Sequence, residues 1–254
     1  MSQIFTLTEG QGRPLVVLHG WGMNHYAWQP IRAALTQHYQ VTWIDLPGHG
    51  LSHEVPMHSL EQTVELLKPL IPEQTIIMGW SLGGMMAQVL AQQLAERVQG
   101  VILVTSTPRF VESADWPYGL AESVLQGFAD NLQTDYAATV KRFFALQFMG
   151  VRNDPQAVNQ LRDHILTQPA NLQALQVGLE ILRTADMRRH TLKQPSLWIL
   201  GRLDKLIPVS LEQGLRILDY QHIAVMPKAA HVPFVTHPDE FLSLLNDFIA
   251  NYCS

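Results

Sequence analysis

Residues 75–84 read Thr75-Ile76-Ile77-Met78-Gly79-Trp80-Ser81-Leu82-Gly83-Gly84, and residues 86–98 continue as MAQVLAQQLAERV. The first four are β-favouring or apolar, and the last run repeats its apolar residues at helical spacing. The stretch therefore predicts a strand, a tight turn and a helix. Ser81 sits on the turn, where the backbone is strained and the hydroxyl stands clear, while Gly79 and Gly83 let strand and helix approach without a Cβ between them. By itself the pentapeptide Gly79-Trp80-Ser81-Leu82-Gly83 is weak. At roughly 7% usage per residue type, about one chain of this length in ten carries such a pattern by chance. The strand before it and the helix after it are what give it meaning.

Working outward, further runs alternate in the same way. Residues 3–8 predict a first strand, with Glu9-Gly10-Gln11-Gly12 as the turn of a hairpin into the continuously apolar strand 14–18. His19-Gly20-Trp21-Gly22 ends that strand as a loop. A helix over 30–37, a strand over 39–44 and a turn at 45–50 follow, then a helix opened by Ser59. Beyond the central stretch come strands at 100–104, 196–201 and 222–226, with helices from about Ser210 and His237. Strands alternating with helices predict an α/β fold, a mostly parallel sheet with helices on both faces. Between 108 and 193 helical periodicity replaces the alternation, as in Val140, Phe143, Phe144 and Gln147 before Gly150. The expected division is a core of residues 1–107 and 194–254, with a helical cap at 108–193.

A serine hydroxyl needs a base to become a nucleophile, and the base needs an orienting carboxylate. In a parallel α/β sheet these groups belong at the C-terminal ends of strands, in the chain order Ser, acid, His. His231, in the loop after the last strand, fits the base, and Asp204, after the preceding strand, fits the acid. The competing readings are a loop histidine and a turn aspartate satisfied locally, with Asp219 the weaker acid. The backbone N–H groups of Leu82 and Trp21 are the expected oxyanion donors. Trp80 and Trp21 either flank the serine as an acyl pocket or pack in the core. Asp45-Leu46-Pro47-Gly48-His49-Gly50 reads as structural, with His49 at the surface or in a loop.

Composition narrows the classes. The 254 residues carry 17 Lys and Arg against 22 Asp and Glu, a formal charge of −5, with 47% hydrophobic and 15% charged residues. That excludes extensive disorder and any global attraction to nucleic acid or anionic membrane. Cys253 is the single cysteine, so no intramolecular disulfide or cysteine metal cluster is expected. No signal-like or membrane-spanning stretch is evident, so a cytoplasmic protein is expected. No metal-binding or phosphate-binding motif is present, and neither a metal nor a cofactor is expected.

With these residues assembled, the chain resembles the α/β-hydrolases and, more narrowly, the pimeloyl-[acyl-carrier protein] methyl ester carboxylesterases of biotin biosynthesis. The matching stretches are HGWGMN at 19–24, DLPGHGLS at 45–52, GWSLGG at 79–84, RFFALQFMG at 142–150, GLEILRTADMR at 178–188 and KAAHVPFVTHPDEF at 228–241. The resemblance implies hydrolysis of the methyl ester at the far end of a pimeloyl chain carried by acyl carrier protein. It also implies that Trp21, Ser81, Leu82 and His231 surround the reacting carbonyl, with Phe143, Phe144, Ala145, Leu146 and Gln147 along the substrate chain. The acidic carrier would meet a local basic patch, for which Lys141, Arg142, Arg152 and Arg162 are the candidates. The enzyme is expected to act as a monomer. The alternatives are a short-chain esterase or another Ser-Asp-His hydrolase for free small molecules, and a non-catalytic ligand-binding module on the same fold.

Overall fold

The computed structural model describes residues 3–152, 155–189 and 192–253. Its sheet has seven strands: β1 Thr6–Glu9, β2 Arg13–Leu18, β3 Tyr39–Ile44, β4 Thr75–Trp80, β5 Val98–Val104, β6 Ser196–Gly201 and β7 His222–Met226. Their order across the sheet is β1-β3-β2-β4-β5-β6-β7. All neighbours are parallel except β1, which lies antiparallel to β3. Residues 15–18 of β2 and every residue of β4 and β6 are buried, as continuous apolar runs in a covered parallel sheet should be.

One expectation fails at the N-terminus. The segment 9–12 is not the turn of a β1–β2 hairpin, because β2 has β3 on one edge and β4 on the other. With both edges of β2 occupied, β1 pairs instead with the edge of β3 that β2 leaves free. The connection crosses the end of β3 so closely that a Cβ on Gly10 would fall 2.3 Å from the Tyr39 carbonyl oxygen.

Among the described residues there are ten α-helices: α1 Gln29–Thr36, α2 Leu60–Leu67, α3 Leu82–Gln93, α4 Glu122–Thr134, α5 Tyr136–Leu146, α6 Pro155–Thr167, α7 Leu172–Thr184, α8 Leu211–Ile217, α9 Pro233–Thr236 and α10 Pro238–Tyr252. Helix α1 packs with α9 and α10, while α2 packs with α3. Helix α2 begins as its sequence indicates, with the Ser59 hydroxyl accepting from the Gln62 N–H. Helices α4 to α7 all lie between β5 and β6 in the chain, and α4 packs on both α5 and α7. The two ends of this stretch are tied together. The Met187 N–H donates to the Pro108 carbonyl at 2.8 Å, and Arg109 pairs with Asp186 at 2.9 Å.

In register, Leu18 faces Gly79, Gly79 faces Leu103, Val104 faces Ile199 and Gly201 faces Met226. The C-terminal ends of five parallel strands therefore reach one edge of the sheet, and the loops leaving them meet there.

Candidate active site

Ser81 links β4 to α3 with φ 53° and ψ −117°, a conformation that L-residues seldom adopt. The turn closes only because glycines surround it. A Cβ on Gly79 would fall 2.4 Å from the Gly83 carbonyl oxygen, and one on Gly83 would fall 2.4 Å from the His19 carbonyl oxygen. The Ser81 carbonyl accepts the Ser106 hydroxyl at 2.8 Å and the N–H groups of Gly84 and Met85.

From the end of β6, Asp204 aims its carboxylate at His231, with Oδ2 accepting Nδ1–H at 2.8 Å. The other oxygen, Oδ1, accepts the N–H groups of Leu206 at 2.7 Å and Ile207 at 3.0 Å. The two backbone bonds hold the carboxylate in place, and its bond to Nδ1–H fixes the imidazole tautomer. His231 is 1% exposed, and its Nε2 has no hydrogen-bond partner. A buried acceptor left unpaired costs about 1–3 kcal/mol, and a catalytic role is one reason for a fold to keep one.

The loop carrying His231 is held from three sides. Its carbonyl accepts from the indole Nε1 of Trp80 at 2.9 Å and from the Thr105 hydroxyl at 2.8 Å, and its N–H donates to the Gln147 carbonyl at 3.2 Å. Thr105 and Ser106 were not singled out by sequence reasoning. Their signal was available, since both directly follow a buried parallel strand. Trp80 packs, with its ring buried edge-on to Trp28 and Phe234 and its polar atom supporting the His231 loop, and the ring also lines a crevice beside Gln147.

Trp21 lies in the loop after β2, which presses on the elbow: a Cβ on Gly20 would stand 3.4 Å from the Ser81 Cβ. Its indole donates to the Leu175 carbonyl on α7 at 2.8 Å, and its ring meets Phe143 of α5 edge-on at 4.6 Å. Leu82 is the first residue of α3, where backbone N–H groups have no partner within the helix.

Along α5 the segment divides by face. Phe143, Phe144 and Gln147 are buried, whereas Ala145 is exposed and Leu146 half-buried. Both amide atoms of Gln147 are buried without partners, in a narrow crevice with Met23, Trp80, Phe144 and Val232. On the outer side, Arg142, Leu146, Met149 and Lys205 line an open crevice between α4 and α5. Lys141, Arg142 and Arg152 are exposed and form no ion pair among the described residues, but Arg162 pairs with Asp163 at 2.9 Å.

His49 is not at the surface: it is fully buried and hydrogen-bonded, because its loop is covered by α7. The Asn171 N–H at the start of α7 donates to the Gly48 carbonyl at 2.7 Å, and a Cβ on Gly48 would fall 2.2 Å from that of Ala174. Nearby, Asp45 Oδ1 accepts both the backbone N–H and the ring Nδ1–H of His25, at 2.7 and 2.9 Å. Burial pushes the pKa of His19 down to about 4 and that of His49 down to about 3, so both rings are neutral near pH 7.

Residues 13–238 match the family model of the alpha/beta hydrolase fold. The pimeloyl-[acyl-carrier protein] methyl ester esterase of Photobacterium profundum is 40% identical over 95% of this chain and 96% of its own length. That of Serratia marcescens is 41% identical over 98% and 99%. Among solved structures, an esterase from Exiguobacterium antarcticum superposes with a TM-score of 0.87 at 18% identity, covering 98% of this chain and 96% of its own. A bromoperoxidase from Bacillus anthracis gives 0.85 at 20% identity over 98% and 95%. At these identities the solved structures speak for the fold alone.

Proposed function

The chain belongs to the alpha/beta hydrolase fold family and, within it, to the pimeloyl-[acyl-carrier protein] methyl ester esterases, and from that premise we propose that Ser81, His231 and Asp204 carry its reaction. The enzyme hydrolyses the methyl ester of pimeloyl-[acyl-carrier protein] methyl ester to pimeloyl-[acyl-carrier protein] and methanol, a step we assign to biotin synthesis in the cytoplasm. The observation that carries the site assignment is the buried Asp204–His231 pair, 2.8 Å apart, with His231 Nε2 left without a partner at the strand edge that also bears Ser81.

Ser81 Oγ attacks the ester carbonyl carbon while its proton passes to His231 Nε2. Asp204 stays ionised, keeps Nδ1 protonated and stabilises the imidazolium. Negative charge gathers on the carbonyl oxygen, where the N–H groups of Leu82 and Trp21 receive it. Each donor in such a hole is worth about 3 kcal/mol of barrier. The tetrahedral intermediate collapses by breaking the bond to the methoxy oxygen, which takes the proton from His231 and leaves as methanol. Water then enters, gives its proton to Nε2 and attacks the acyl carbon. A second collapse returns the proton to Ser81 and frees the pimeloyl carboxylate.

We read residues 108–193 as a cap over this centre, with Trp21, Phe143, Phe144, Ala145, Leu146 and Gln147 along the pimeloyl chain. The unpaired amide of Gln147 supports that reading, because a polar group on the substrate would satisfy it. Lys141, Arg142 and Arg152 form the docking patch for the acidic carrier. Arg162, already paired with Asp163, contributes less. A fluorophosphonate probe tests the nucleophile: mass spectrometry should locate one adduct, on Ser81. Labelling elsewhere, with Ser81 unmodified, would remove it from the mechanism.

A further inference from the structure

Two buried histidines take no part in the proton transfers, yet each reaches across to the other's loop. The N–H of Leu46 donates to His19 Nε2 at 3.0 Å, and the N–H of Gly22 donates to His49 Nε2 at 3.3 Å. A ring nitrogen that accepts carries no proton, so in both rings the proton must sit on Nδ1. From there His19 donates to the Gly20 carbonyl at 2.8 Å, and His49 to the Pro47 carbonyl at 2.9 Å. The loops 19–22 and 45–50 thus hold one another through a reciprocal pair of rings, 5.2 Å apart and wholly buried.

The bonded atoms bracket Trp21. The Gly20 carbonyl and the Trp21 N–H belong to one planar peptide unit and point in opposite directions, so fixing the carbonyl fixes the N–H. Rotation of that unit turns on ψ of Gly20 and φ of Trp21, and at its first end Gly20 has no side chain to restrain it. The Gly20 carbonyl also accepts the Met23 N–H, at 3.2 Å, so His19 supplies the shorter of two holds; with it gone, a peptide flip that turns the Trp21 N–H away from the reacting carbonyl has only the longer bond against it.

We propose that His19 and His49 are positioning residues of the oxyanion hole: His19 Nδ1–H pins the Gly20–Trp21 peptide, and His49 Nε2 pins Gly22, aiming the Trp21 N–H at the developing oxyanion. This rests on the reading of Trp21 as an oxyanion donor to an ester attacked by Ser81. Loss of either ring lowers kcat and leaves KM nearly unchanged, because the donor matters most when charge develops.

The test uses the choice of nitrogen. An asparagine amide can replace the Nδ1–H of histidine, whereas a glutamine amide reaches the position of Nε2. On a small methyl ester, His19→Ala should lose about 10- to 100-fold in kcat, and its affinity for a trifluoromethyl ketone, which forms a tetrahedral adduct, should fall by a similar factor. His19→Asn should recover most of both losses and His19→Gln little; at position 49 the order reverses, with His49→Gln the better substitute. Recovery by His19→Gln equal to that by His19→Asn, or a lower kcat with unchanged ketone affinity, would overturn the proposal. Should the alanine variant fail to fold, ¹⁵N spectra of the wild-type protein decide: Nδ1–H on both rings from pH 6 to 8 supports it, and Nε2–H on His19 defeats it. Turnover by Ser81→Ala equal to wild type would remove the esterase reading and this proposal together. A serine-dependent enzyme with the wrong rescue pattern would remove this proposal alone.

Discussion

Ser81 concentrates the conflict between folding and function. Its backbone, at φ 53° and ψ −117°, costs about 1–3 kcal/mol for a residue with a Cβ. Glycine would relieve that strain while adding about 0.5–1 kcal/mol of unfolded-chain entropy. Ser81→Gly should therefore be inactive and more stable than wild type by about 1 kcal/mol, raising Tm by roughly 2–4 °C in calorimetry. An unchanged or lower Tm would show that the turn is not strained. This part of the site was legible in sequence because it is local: strand, Gly79, Ser81, Gly83 and helix follow one another without a break. The Asp204–His231 pair was legible by topology, since strand ends bring together residues 27 positions apart. Thr105 and Gln147, which hold the His231 backbone, were not legible as its supports. Their bonds use a hydroxyl and a carbonyl that many residues share.

At the scale of elements, the two loops joined by His19 and His49 govern the response to acid. Both pKa values lie below the ordinary histidine value, so between about pH 6.5 and 4 the unfolded chain binds protons that the folded chain refuses. Stability therefore falls as pH drops through that window, by roughly 2 kcal/mol per ring at pH 5. Asp45, held low by its bond with His25 despite burial, adds a loss of the same sign at still lower pH. Urea unfolding at pH 7 and pH 5 should show the difference, and a double variant, His19→Asn with His49→Gln, should show much less. Equal stability at both pH values in the wild type would contradict the buried, neutral rings. The sequence places His49 at the surface or in a loop; it does lie in a loop, but a fully buried one. Burial there comes from α7, more than a hundred residues later, whose Asn171 and Ala174 close over Gly48. The misplaced hairpin has the same origin: which strand edge is free depends on the order of the whole sheet.

Across the whole molecule, charge and reach set the choice of substrate. A chain of net charge −5 has no general attraction for an acidic carrier, so recognition must be local. Lys141, Arg142 and Arg152 stand exposed without acidic partners among the described residues, on and just after the helix whose inner face carries Phe143 and Gln147. Replacing all three with Glu should cut kcat/KM for the carrier-bound ester by about tenfold or more and leave a small free methyl ester within about twofold. Equal losses on both would shift docking to another face. No helix among the described residues is long and apolar enough to cross a membrane.

The central claim is that Ser81 cuts the methyl ester while the carrier thioester survives. Methanol release from pimeloyl-carrier methyl ester, followed beside intact-protein mass spectrometry of the carrier, measures both bonds at once. The wild-type enzyme should release one methanol per carrier and leave the acyl chain attached, and Ser81→Ala should release none above the uncatalysed rate. Methanol release by Ser81→Ala at the wild-type rate, or loss of the acyl chain from the carrier before methanol appears, would contradict it.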